Sequence, residues 1–124
     1  MGRLLVKPGV DFGTVLAPAG AQILDALKRL VPAYPFDVTI TSARDGVHSG
    51  PADPHHSGEA FDLRTNTLTD DQTIDLLTDI RRLLYKTPRK FYAFLEAPAT
   101  ANEHIHCQKR KRVTYTISDY LNDR

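Results

Sequence analysis

Apolar residues recur along this chain with two periods, and the switches between them outline helices and strands. From Ala19 to Val31 the positions Ile23, Leu27 and Leu30 form a helical stripe, Pro18 suits the first turn, and Pro32 and Pro35 end the segment. Phe36 to Thr41 is rich in strand formers. Gly58 permits a tight turn, after which small and large residues alternate: Gly58, Ala60 and Asp62 share one strand face, while Phe61 and Leu63 point to a core on the other. Thr69-Asp70-Asp71-Gln72 is a capping box opening a second helix, with Ile74, Leu77, Ile80 and Leu84 on its expected core face and Thr87-Pro88 as its stop. Lys90 to Glu96 reads as a strand in which Phe91, Ala93 and Leu95 alternate with Tyr92, Phe94 and Glu96. Glu103 to Gln108 reads as another, with His104 and His106 on one face and Ile105 and Cys107 toward the core. Val113 to Ile117 is a further expected strand, and Ser118 to Asn122 a short closing helix capped by Ser118.

Two helices on one side of a small, mainly antiparallel sheet make an α+β layer architecture, with the opposite sheet face left for a site. The 124 residues, 41% of them hydrophobic, suffice for one core, and no repeat, low-complexity segment or linker divides them. Residues 1–124 are therefore read as a single catalytic domain, expected to be a monomer. A net charge of +1 gives no global field for a polyanion, so no nucleic-acid partner is expected. The run Lys109-Arg110-Lys111-Arg112 is the local exception and reads as a solvated turn. The apolar stretch in Met1 to Gly9 is too short for a signal peptide, and no segment approaches 18 apolar residues, so neither export nor a membrane partner is expected. The lone cysteine, Cys107, excludes an intramolecular disulfide and a multi-cysteine zinc knuckle, and reads as a small buried residue opposite His106.

The remaining chemistry lies in two runs, Pro54-His55-His56-Ser57-Gly58-Glu59-Ala60-Phe61-Asp62 and Asn102-Glu103-His104-Ile105-His106. His55, Asp62 and His106 supply two imidazoles and a carboxylate, a set suited to zinc with a fourth position left for water. One imidazole of the His104/His106 pair can bind metal while the other stays near water or substrate. His48, His55 and Asp62 recur at intervals of seven, but Gly50, Pro51 and Pro54 give the intervening loop no regular period, and His48 is read as a rim residue in contact with substrate.

These residues resemble the zinc D-alanyl-D-alanine carboxypeptidase family, which includes phage L-alanyl-D-glutamate endolysins. Thr41-Ser42-Ala43-Arg44 is similar to its T-S-x-x-R segment, with one residue fewer before the arginine. His55, Gly58, Ala60 and Asp62 match S-x-H-x-x-G-x-A-x-D except that Asp53 replaces the serine, and Glu103 stands three positions before His106. The resemblance implies the Hedgehog/DD-peptidase fold, zinc (Zn) as cofactor, and His55, Asp62 and His106 as its ligands. It also implies Glu103 as general base, in competition with His104, and Arg44 as a contact for substrate or for the developing oxyanion. Ser42, His104 and His48 join Arg44 as expected substrate contacts. The expected substrate is a peptidoglycan stem peptide, reached from the cytoplasm through a lysis pore or an export route. A non-catalytic wall-binding or phage structural module, and a nucleic-acid-processing protein using the basic run, are the competing classes.

Overall fold

Pro18 begins the first helix. Helix α1 spans Pro18–Leu30, and its inner stripe buries Ile23 and Leu27 almost completely beside Ala19 and Ala26. A 3-10 turn, Val31–Ala33, then carries the chain past Pro32. The computed structural model describes residues 1–12, 17–43, 59–85 and 91–109. The expected strand at 113–117 and closing helix at 118–122 lie outside these residues, as do Arg44, His48 and His55.

Strands β1 (Leu4–Val6), β2 (Val38–Ser42), β3 (Ala60–Arg64), β4 (Phe91–Glu96) and β5 (His104–Lys109) form a five-stranded sheet in the order β1-β2-β3-β5-β4. The β1 to β2 pairing is parallel and the other three are antiparallel, so the sheet is mixed and the protein is α+β. Leu4-Leu5-Val6 was not anticipated, because three apolar residues display no alternation. Tertiary contacts hold β1: the Arg3 N–H donates to Asp37 Oδ1 at 2.8 Å, and the Arg3 guanidinium donates to Asp37 Oδ2 at 2.9 Å.

Helix α2 (Asp70–Leu84) has both bonds of the capping box, Gln72 N–H to Thr69 Oγ1 at 3.1 Å and Thr69 N–H to Gln72 Oε1 at 3.0 Å. Its buried face is Thr73, Leu76, Ile80 and Leu84, which corrects the expected stripe: Ile74 is exposed and Leu77 only partly buried. One residue along a helix is a rotation of about 100°, so placing Thr73 inward turns Ile74 out.

Both helices pack on the sheet, α1 against β3 and β5 and α2 against β4. Phe61, Leu63, Ile105 and Cys107 are fully buried there, on the face where alternation places them. Burial pushes the Cys107 thiol up to about 12. Edge strand β4 is also tied to α2, since the Ala93 N–H donates to Tyr85 Oη at 3.2 Å and the Ala93 carbonyl accepts from Arg81 Nε at 2.9 Å. Capping an outward-facing N–H and C=O in this way removes a template for edge-to-edge pairing.

Candidate metal centre

Strand register assembles the outer face in rungs. One rung crosses four strands, with Phe94, His106, Asp62 and Ser42 side by side; the next joins Glu96, His104 and Arg64. Paired residues on one sheet face have Cβ atoms about 4.5–5.5 Å apart, so the register alone brings these side chains into reach. Between Ile40 and Ser42 the register of β2 slips against β3: Ile40 opposes Leu63, yet Ser42 opposes Asp62. The slip puts an extra residue, Thr41, into β2, as in a β-bulge, and Thr41 and Ser42 both line the cavity beside Asp62.

That cavity has a volume of about 490 Å³, and its walls include Thr41, Ser42, Asp62, Arg64, Glu103 and His104. The outer face is open at the His104 and Arg64 end and covered at the other, where Ala60 and Gln108 are buried. The small residue at position 60 therefore leaves no exposed space beside itself.

Four donor atoms meet on this face. Asp62 Oδ1 lies 2.9 Å from His106 Nδ1 and 3.9 Å from His104 Nε2; Glu96 Oε1 lies 3.0 Å from His104 Nε2 and 3.6 Å from His106 Nδ1. Ligands held 2.0–2.1 Å from a tetrahedral zinc ion are about 3.3 Å apart, the middle of this range. Asp62, Glu96 and His104 each offer an atom within 4.8 Å of the others and could together hold a metal ion. Imidazole nitrogen and carboxylate oxygen are the ligand types zinc takes, so the donor set fits such an ion.

Each imidazole is oriented by a second bond. His104 Nδ1 lies 2.7 Å from the Asn102 carbonyl, and His106 Nε2 lies 2.6 Å from Gln108 Oε1, while the Gln108 amide donates to the Lys109 carbonyl at 3.1 Å. A carbonyl oxygen only accepts, so these ring nitrogens carry the N–H, and the opposite nitrogens face Asp62 and Glu96. Tyr92 and Phe94 stack at 5.3 Å between ring centroids, and Phe94 lies 5.4 Å from the His106 ring, giving that imidazole a half-dry flank. Burial pushes His106 down, but hydrogen bonds with Asp62 and Gln108 and the charges of Asp62 and Glu96 outweigh it, so its proton is held above the usual range. A metal ion binding at Nδ1 must displace that proton, which makes binding weaker toward acid.

Glu103 stands apart from this cluster on the cavity wall. Its Oε1 accepts from Thr65 Oγ1 at 2.6 Å and its Oε2 from the Ala99 N–H at 2.8 Å. These bonds, Thr65 first, hold its carboxyl below the usual range and keep it ionised. Ala97 and Ala99 adopt positive φ (49° and 60°) in the turn between β4 and β5, a conformation uncommon for a residue with a Cβ, and one that aims the Ala99 N–H at Glu103.

Of the expected site residues, Ser42, Asp62, Glu103, His104 and His106 are brought to one face of the sheet. Arg44, His48 and His55 lie outside the described residues. Glu96 was missed as a site residue. Its signal was present, because it shares an outward face with Tyr92 and Phe94, and an antiparallel hairpin to the His104 strand sets it opposite His104. Lys109, the first of the basic run, is the last residue of β5 rather than part of a turn, and its Nζ lies 3.2 Å from Glu59 Oε2.

Comparison with protein families, curated proteins and solved structures found no match for this chain. None of its described helices is long and apolar enough to cross a membrane.

Proposed function

We propose that the protein is a zinc-dependent peptidase of peptidoglycan stem peptides, of the DD-carboxypeptidase or L-alanyl-D-glutamate endopeptidase type found in phage endolysins, built on the Hedgehog/DD-peptidase fold. The observation that carries the reading is the meeting of Asp62 and His106, distant in sequence, at 2.9 Å, beside an open polar cavity that Asp62 lines. Both belong to the ligand set His55, Asp62 and His106 that the sequence motifs imply.

Zinc held there would supply a Lewis acid for the scissile carbonyl and an acidified water. The chain's own residues supply the rest. Gln108 fixes the His106 ring so that Nδ1 faces Asp62. Glu103, kept ionised by Thr65 and Ala99, is the carboxylate on the wall that takes a proton and returns it to the leaving amine, work worth about 10² to 10⁴-fold in rate. Ser42 and His104 line the space a peptide would enter, and Arg44 is the proposed contact for its carboxylate or oxyanion. Zinc, the peptide substrate and action at the wall after release through a pore stand together in this reading.

Mass spectrometry of soluble products from purified peptidoglycan tests it. The expected result is zinc-dependent, chelator-sensitive release of a fragment whose mass names the bond cut. Intact wall peptides after prolonged incubation with zinc-loaded protein would refute it.

A further inference from the structure

The motif-derived ligand set leaves Glu96 without a task, although Glu96 Oε1 lies 3.0 Å from His104 Nε2. The bond between His104 Nδ1 and the Asn102 carbonyl, 2.7 Å long, holds the ring with Nε2 toward that carboxylate. Asp62 Oδ1, 3.9 Å from the same nitrogen, adds a second carboxylate from the adjoining strand. Asp62, Glu96 and His104 each offer a ligand atom within 4.8 Å of the others, close enough to share one cation. The pair is reachable: the Glu96 side chain is 40% exposed and that of His104 22%. A hairpin holds the two opposite one another in direct register, so an ion would find its ligands already positioned.

We propose that Glu96 and His104 are direct ligands of a divalent cation that also touches Asp62, making Glu96 a metal ligand outside the set His55, Asp62 and His106. The inference deepens the metal part of the peptidase reading and rests on ion binding alone, not on hydrolysis. Asp62 is common to both donor sets, so ions entering either are coupled through one carboxylate.

Zinc titration followed by native mass spectrometry, together with long-range ¹H–¹⁵N spectra of the histidine rings, tests the proposal on the full chain, on Glu96→Gln and on Glu103→Gln. Zinc should move the His104 Nε2 resonance to that of a metal-bound nitrogen in the full chain and in Glu103→Gln. Glu96→Gln should lose one ion or at least about tenfold in zinc affinity, a loss that even an outer-sphere partner can cause. Glutamine keeps the size of the side chain while removing its charge, and an unchanged thermal transition would show that the variant folds. Equal ion number and affinity in the wild type and Glu96→Gln would overturn the proposal, as would a His104 Nε2 resonance indifferent to zinc. Loss of zinc in Glu96→Gln from a chain that cuts no peptidoglycan would uphold the site and sink the peptidase. Chelator-sensitive wall cleavage with wild-type zinc binding in Glu96→Gln would do the reverse.

Discussion

The inner and outer faces of strands β3 and β5 are built from alternate residues of the same ten or so positions, yet they obey different physics. Inward, Phe61, Leu63, Ile105 and Cys107 are sealed beneath two helices, and their contribution is apolar area removed from water. Outward, Asp62, His104 and His106 meet Glu96 on a partly exposed face, where what matters is which atom donates and which accepts. Because the side-chain period of a strand is two, each face fixes the other: the buried Phe61 and Ile105 lock the register that brings Asp62 opposite His106. The core is thus the device that holds the proposed ligands, and the two faces should fail in different ways.

The largest effect belongs to the inner face. Phe61→Ala should cost about 3–5 kcal/mol, read from urea denaturation, a large part of the stability of a domain this size. The same change should let iodoacetamide reach Cys107, whose thiol is fully buried and pushed up to about 12 in the intact protein. On the outer face, Asp62→Asn should leave the urea midpoint near its original value while weakening zinc binding more than about 100-fold, beyond the loss typical of an outer-sphere partner. If Asp62→Asn unfolds the protein, or if Phe61→Ala spares the fold, the separation of roles between the faces is wrong.

Away from both faces the expected effects shrink. Thr69→Ala removes one bond of the α2 capping box and should cost about 1 kcal/mol in the same urea assay, with zinc affinity unchanged. The smallest effect is at the β1 end, where hydrogen bonds from Arg3, side chain first, hold the Asp37 carboxyl below its usual range. A carboxyl lowered in the folded state stabilises it above the ordinary range near pH 4, and that contribution is lost as pH falls through the lower native value. The urea midpoint of the wild type should therefore exceed that of Asp37→Asn by a small margin at pH 6 and converge with it as pH falls from about 5 toward 2.

Much of this arrangement was legible in the residues themselves. Alternation correctly assigned Phe61 and Leu63 against Asp62, and Ile105 and Cys107 against His106, because a half-buried strand in which one-residue errors would bury a charge leaves little ambiguity. The capping box located the start of α2 to the residue. What escaped depended on tertiary partners. The bulge at Thr41 is a feature of two strands together, β1 draws its order from β2 and Asp37, and Glu96 gains its meaning only from the hairpin that sets it opposite His104. Ile74 misled because hydrophobicity was weighted above angle, whereas the helix turned the smaller Thr73 inward. The Glu103 carboxylate was visible as a spacing to His106, but its grip by Thr65 and Ala99 needed the turn in which two alanines adopt positive φ.

Anomalous diffraction at the zinc edge from crystals grown with zinc bears most directly on the claim that the outer face of β3 and β5 is a metal centre. The account predicts a peak about 2.0–2.2 Å from both Asp62 and His106. Zinc bound elsewhere, with Asp62 and His106 still bonded to one another, would contradict it.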